Sequence, residues 1–160
     1  MNEESRFLLE AIELAHANIS KGGRPFGAVV VKNGEVISTG VNEVRSTNDP
    51  TAHAELTAIR AASQKLGSPD LNGCVLYASG HPCPMCMAAM RMAGIAAVTY
   101  AYSNEDGAPY GLSTAAIYAD LGKPFAEQSM IIRHLPQRLG SHPDIYAEWL
   151  ASQVNTVLET

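Results

Sequence analysis

Apolar positions change their period along this chain often enough to lay out its elements. Phe7, Leu8, Ala11, Leu14, Ala15 and Ile19 recur at the spacing of one helix face, and Gly22-Gly23 marks the end of that helix. A β-rich run follows from Phe26 to Lys32. Asn33-Gly34 is a strong two-residue hairpin signal, so Glu35 to Val41 is expected to return as the antiparallel partner. Helical spacing resumes after Asp49-Pro50-Thr51, through Leu56, Ile59 and Ala62, and stops near Gly67. Gly73 to Ser79 reads as a strand buried on both faces, Pro84 to Ala93 as a short helix, and Ala96 to Tyr102 as another strand. Ser103 to Gly111 is a polar, Gly-containing loop, Leu112 to Leu121 predicts a helix, and Met130 to Leu135 predicts a last strand. Ser141 with Pro143 opens a C-terminal helix carrying Ile145, Tyr146, Trp149, Leu150, Val154 and Val157, over about residues 142–158. An opening hairpin followed by strands alternating with helices predicts one α/β domain over residues 1–160, built on a mixed sheet.

Composition narrows the class. Only 17% of the 160 residues are charged, below the usual quarter, while 46% are hydrophobic, so apolar surface is left over for a subunit interface. The net charge of −5, with no block of like charges, is a poor footprint for a protein that tracks a nucleic-acid backbone. No apolar run is long enough for a bilayer, and the acidic Met1-Asn2-Glu3-Glu4 leads into a helix rather than a signal peptide. Three cysteines, two of them close together, suit a reducing compartment, so the expected location is the cytoplasm.

The chemistry is concentrated in His53-Ala54-Glu55 and Pro82-Cys83-Pro84-Met85-Cys86. One imidazole and two thiols supply three zinc ligands, and three protein ligands with an open position mark a catalytic rather than a structural zinc. His81 and Cys74 are the nearest candidates for a fourth. Cys74 lies in a predicted buried strand and reads as a small core residue, which leaves His81 as the better placed. Both metal motifs sit at or near predicted helix starts, where unpaired N–H groups favour thiolate at Cys83 and Cys86. Glu55 is placed to shuttle protons for an activated water, and the Ala54 N–H is placed to meet a substrate oxygen or ring acceptor. A metal-free redox pair at Cys83 and Cys86 would leave His53-Ala54-Glu55 unexplained. Met85, Met87, Met90 and Met92 read as adaptable core or interface packing.

A histidine and glutamate one residue apart, followed by Pro-Cys-x-x-Cys, resembles the zinc-dependent cytidine/deoxycytidylate deaminase superfamily. Asn48 to Glu55, Pro25-Phe26-Gly27-Ala28-Val29 and Asn42 are similar to its purine-acting branch, which includes guanine deaminases and tRNA adenosine deaminases. Gly111-Leu112, Ile117-Tyr118, Asp120 and Lys123-Pro124 are similar to the free-base guanine deaminases, and the likeness extends over residues 5 to 135. The resemblance implies a three-layer α/β/α sandwich with a five-stranded mixed sheet, assembled as a homodimer through helices near the zinc. It also implies that Phe26 stacks on the substrate ring and that the Asn42 amide bonds to the ring edge. Two departures stand out. Ser113 and Thr114 occupy the segment where guanine deaminases carry an acidic pair, with Glu105 or Asp106 as potential substitutes, and His81 stands where glutamate is common. Trp149 or Tyr146 could close over a site, the chain's own or a partner's, although a helix face packed on the core is the role the apolar pattern favours for both.

Zinc is therefore the expected cofactor, and water and a small nucleobase-like ring are the expected reactants, with guanine to xanthine first and a related purine or pterin-like base next. A tRNA adenosine deaminase is the alternative, for which Lys21, Arg24, Arg45 and Arg91 would form a modest basic rim. A non-catalytic zinc-fold binding module is the third reading, disfavoured because a structural zinc has no use for Glu55.

Overall fold

In the computed structural model, which describes residues 2–158, helix α1 (Glu3–Ser20) starts at Asn2, whose Oδ1 accepts from the Ser5 N–H at 2.8 Å. It ends where Gly22 takes a φ of +83°, and the Gly22 and Gly23 N–H groups reach back to the carbonyls of Ile19 and Asn18. Strands β1 (Gly27–Lys32) and β2 (Glu35–Val41) form the hairpin expected from Asn33-Gly34, which adopt φ of +52° and +76°. Two successive positive φ values are what a tight hairpin turn requires.

Helix α3 (Ala54–Leu66) follows a short helix α2 (Val44–Thr47) and stops at Gly67, again at positive φ. Next come strand β3 (Cys74–Gly80), helix α4 (Pro84–Met92) and strand β4 (Ala97–Tyr102). The sheet order is β2-β1-β3-β4, with β1 antiparallel to both neighbours and β3 parallel to β4. A parallel pair needs a crossover, and α4 supplies it. Alternation along the strands turns Val29, Val31 and Tyr77 towards Phe7 and Ala11 of α1. The opposite face, with Ala28, Val30, Leu76 and Ala78, packs on Ala58 and Ala62 of α3 and on Cys86 and Met90 of α4. Helices on both faces explain why β1 and β3 are buried almost throughout, without the alternation of a half-wet sheet.

Two glycines set how closely the helices approach. A Cβ at Gly40 would run into the Ala54 carbonyl and stand 2.5 Å from the Ala58 nitrogen, so β2 touches the backbone of α3 directly. Gly27 plays the same part under α1, where a Cβ would meet the Ala11 carbonyl and lie 2.9 Å from the Ala15 nitrogen.

Beyond β4 lie α5 (Asn104–Gly107), α6 (Ala115–Leu121) and α7 (Ile145–Leu158). The chain divides into two compact units, one through Lys123 and one from Pro124. The sheet has four strands rather than the five expected: residues 130–135 form no strand, and all but Ile132 are exposed. The C-terminal helix begins at Ile145 rather than near Ser141, because Asp144 Oδ1 accepts from the Tyr146 and Ala147 N–H groups. Helix α6 likewise starts at Ala115, three residues later than the apolar pattern suggested. Among the described residues no helix is long and apolar enough to cross a membrane.

Substitution Gly40→Ala tests the close approach of β2 and α3. Overpacking against backbone is expected to cost about 1–3 kcal/mol. Gly140→Ala, in open space, should stay within about 0.5 kcal/mol of the parent. Urea denaturation of both zinc-loaded variants measures the difference, and equal midpoints would refute the contact.

Candidate active site

The chain enters α3 through a turn that Asp49 organises. Its Oδ1 accepts from the Thr51 N–H at 2.8 Å and the Thr51 hydroxyl at 2.7 Å, while Arg60 donates to that hydroxyl at 3.1 Å. The bonds from Thr51 hold the Asp49 carboxyl below the usual carboxylate range. On the far side of the turn the Ala52 carbonyl accepts from the Glu43 N–H at 2.9 Å. His53 is then left extended at the N-cap of α3 (φ −72°, ψ 156°), so its imidazole departs from the helix start. Cys83 does the same at α4 (φ −73°, ψ 166°), with Pro84 in the first turn.

These two caps meet. His53 Nδ1 lies 3.4 Å from Cys83 Sγ and 3.7 Å from Cys86 Sγ, and the three ligand atoms all fall within 4.8 Å of one another. A tetrahedral zinc at about 2.0–2.1 Å from nitrogen and about 2.3 Å from sulfur requires nitrogen–sulfur edges of about 3.6 Å. Both nitrogen–sulfur distances lie within about 0.2 Å of that edge, so the cluster fits that ion. His81 and Cys74 stand apart from it: His81 directs Nδ1 to the Pro82 carbonyl at 3.0 Å, and Cys74 is buried at the start of β3.

The electrostatics suit a cation. The Cys86 thiol, and next His53, hydrogen-bond Cys83 and bring its thiol down to about 4 against the opposing effect of burial. The same shared proton, with burial and the nearby Glu55, pushes Cys86 up. His53 is raised, first by its bond with Cys83. Glu55 is only 7% exposed, with Oε2 3.5 Å from Cys86 Sγ, and burial raises its carboxyl. A buried carboxylate with raised proton affinity is the kind of group that can take up and return a proton.

Of the groups expected to bind the ring, Phe26 packs against the core cluster that contains Ala54, Cys83 and Cys86. The Phe26 ring packs over Gly80, where a Cβ would stand 3.0 Å from it. Asn42 is buried; its Oδ1 accepts from the Val44 N–H at 3.2 Å, and Nδ2 has no partner among the described residues. Ala54 opens α3, so its N–H has no acceptor within the helix. Phe26 and His81 also line a cavity of about 540 Å³, with Ser79, Gly80 and residues of α1 and α5. None of the metal ligands forms part of its wall.

Other expectations fall elsewhere. Ser113 Oγ accepts from the Ala115 N–H at 3.2 Å, and the Thr114 hydroxyl and N–H both turn to Asn104 Oδ1, so both side chains serve the start of α6. Asp106 makes a capping box with Ser103, and Glu105 is exposed. Trp149 belongs to the second unit and is 61% exposed. Two residues to which the sequence pattern assigned no role support the site. Asn18 Nδ2 bridges the carbonyls of Arg24 and Asn42 at 2.8 and 2.9 Å, bracing the segments that carry Phe26 and Asn42. Tyr118 of α6 donates to the Pro82 carbonyl. A polar asparagine on the apolar face of α1 was the available sign of the first; nothing local signalled the second.

Comparison with known proteins agrees with this geometry. Residues 1–102 match the family model described as the cytidine and deoxycytidylate deaminase zinc-binding region. The chain is similar to a guanine deaminase of Bacillus subtilis, 47% identical over 131 residues, which covers 81% of this chain and 83% of the relative. A crystal structure of guanine deaminase from Bacillus subtilis superposes with a TM-score of 0.84 at 42% identity, covering 94% of this chain and 95% of that one. A tRNA-specific adenosine deaminase of Aquifex aeolicus is 43% identical over 94 residues, covering 59% of this chain and 62% of its own.

Metal analysis of the purified protein should find one zinc per chain, and Cys86→Ala should abolish it. Chelation should lower the melting temperature, and added zinc should restore it, because the ion binds the folded ligand set and not the unfolded chain. X-ray absorption should give about two sulfurs at 2.3 Å and one protein nitrogen at 2.0–2.1 Å. A second imidazole bound in the resting enzyme would identify His81 as a closing ligand and remove the open position.

Proposed function

The chain belongs to the cytidine and deoxycytidylate deaminase family and is a zinc-dependent hydrolytic deaminase, and from that premise we propose that it acts on guanine as the free base, giving xanthine and ammonia. The observation that carries this reading is the buried Glu55 carboxylate set against the His53, Cys83 and Cys86 cluster. Zinc, when bound there, supplies a water acidic enough to serve as a nucleophile near neutral pH.

Glu55 accepts a proton as the water oxygen bonds to the amine-bearing ring carbon, and it delivers that proton to the adjacent ring nitrogen. It then carries the remaining hydroxyl proton to the amine. The carbon–nitrogen bond breaks, ammonia leaves, and the carbon–oxygen bond becomes a carbonyl. Phe26 offers a stacking face, while Asn42 Nδ2 and the Ala54 N–H offer donors to acceptors on the ring edge. A flat ring rich in acceptors and N–H groups fits that set. The net charge of −5 favours a small free base over a polyphosphate chain. We further place the protein in the cytoplasm as a homodimer, a reading supported by its free cysteines and by apolar surface such as Met92, 89% exposed.

Ammonia release should be measured across guanine, adenine, cytosine, cytidine, pterins and tRNA. Guanine is expected to be preferred; turnover of cytosine or cytidine alone, or inosine formation in tRNA, would overturn the substrate assignment. Glu55→Gln should keep zinc and fold but lose about 10²–10⁴-fold in kcat, since the amide cannot accept the proton. A zinc-loaded variant with more than about a tenth of parental kcat would remove Glu55 from the shuttle role.

A further inference from the structure

His81, Pro82 and Cys83 join the end of β3 at Gly80 to helix α4, and the last of them is the first cysteine of the metal cluster. On its C-terminal side Cys83 is fixed by the helix: its carbonyl accepts from the Met87 N–H at 3.0 Å, and its Sγ accepts from the Cys86 N–H at 3.5 Å. On its N-terminal side the fixed points belong to Pro82, whose ring is fully buried and whose carbonyl accepts from the Tyr118 hydroxyl. That carbonyl lies in the rigid peptide plane joining Pro82 to Cys83. Turning the plane moves the Cys83 backbone, and Sγ with it.

Tyr118 reaches the carbonyl from a helix that the core does not hold. Among the described residues, neither hydrophobic core cluster includes any part of α6. Only Tyr118 and Asp120 of its seven residues are not exposed, and the apolar Ile117 and Leu121 face solvent. The Tyr118 ring stands edge-on to the His81 imidazole at 5.5 Å between centroids, so ring and hydroxyl both touch the span that leads into Cys83. Packing of an apolar face therefore does not explain where this side chain goes. Its hydroxyl does.

We propose that Tyr118 is a positioning residue for the metal centre: its hydroxyl holds the Pro82–Cys83 peptide at the angle that keeps Cys83 Sγ in the ligand set. The assignment rests on His53, Cys83 and Cys86 as the zinc ligands and is independent of which ring the enzyme takes. Groups that orient a metal's ligands typically account for about ten- to a hundredfold in metal affinity. A role confined to pinning α6 would instead destabilise the metal-free and zinc-loaded protein equally and leave zinc retention unchanged.

The test is release of zinc from the loaded protein to an excess of a chromophoric chelator. Tyr118→Phe keeps the ring beside His81 and removes only the hydroxyl. It should load one zinc per chain and release it about ten- to a hundredfold faster than the parent. The melting-temperature gain on adding zinc should shrink accordingly, because that gain follows the affinity of the folded protein for the ion. Tyr110→Phe, which removes a hydroxyl from a tyrosine 79% exposed, should match the parent in both. Cobalt(II) in place of zinc gives a readout of geometry: the thiolate-to-metal and d–d absorption bands of Tyr118→Phe should differ from those of the parent, as a displaced sulfur requires. Zinc release within about twofold of the parent overturns the proposal, leaving Tyr118 as an anchor of α6 alone. An unchanged cobalt spectrum overturns it as well. Zinc retained by Cys86→Ala would overturn the ligand set and the proposal with it, whereas unaltered release from Tyr118→Phe overturns the proposal alone.

Discussion

Helices α3 and α4 begin side by side because both lie on one face of the sheet, held there by backbone-close packing at small residues. Gly40 admits the backbone of α3 at Ala54 and Ala58, and Ala28 and Ala78 keep that face shallow. The N-caps of the two helices, His53 and Cys83, are both extended with ψ near 160°, so both side chains leave their helices at the same place. Cys86 follows one turn into α4 and faces the same point. Unpaired N–H groups at two helix starts add partial positive charge, which suits thiolates and an electron-rich ring alike. Any change that lifts α3 from β2 would separate the ligands without touching one of them.

The ligand cluster is electrostatically incomplete as protein alone. Two sulfurs, an imidazole and a buried carboxylate lie within a few ångströms, and they remain compatible only by sharing protons, with Cys83 pulled down and Cys86 and Glu55 pushed up. A divalent cation replaces the shared proton and lets both sulfurs ligate as thiolates, which couples metal binding to folding. The burial that makes an ionised Glu55 costly also raises its affinity for a proton.

Local signals located the elements well and their partners poorly. Asn33-Gly34 specified the hairpin because both positive φ angles belong to the turn itself. The apolar run at residues 130–135 suggested a fifth strand, yet a strand exists only where another strand offers its backbone, and the four-stranded ladder does not include it. Helix starts were misplaced for a similar reason. Ser141 is a good capping residue by type, but Asp144 is the side chain that reaches the open N–H groups of Tyr146 and Ala147.

The sequence by itself determined the His53, Cys83 and Cys86 cluster, the carboxylate beside it and the two helix starts that present it, because spacings of two and three residues are preserved in any helix that begins there. The tertiary structure alone decided which polar groups remain available to a ligand. Ser113 and Thr114 are drawn into the start of α6, while His81 turns one nitrogen to the Pro82 carbonyl. Tyr118 meets that same carbonyl from 36 residues away, and Asn18 reaches the Asn42 carbonyl across 24. Capping and periodicity act within a few residues and can be read along the chain. The choice of a hydrogen-bond partner depends on which distant groups the packed helices and sheet deliver to one point, and no local pattern contains that information.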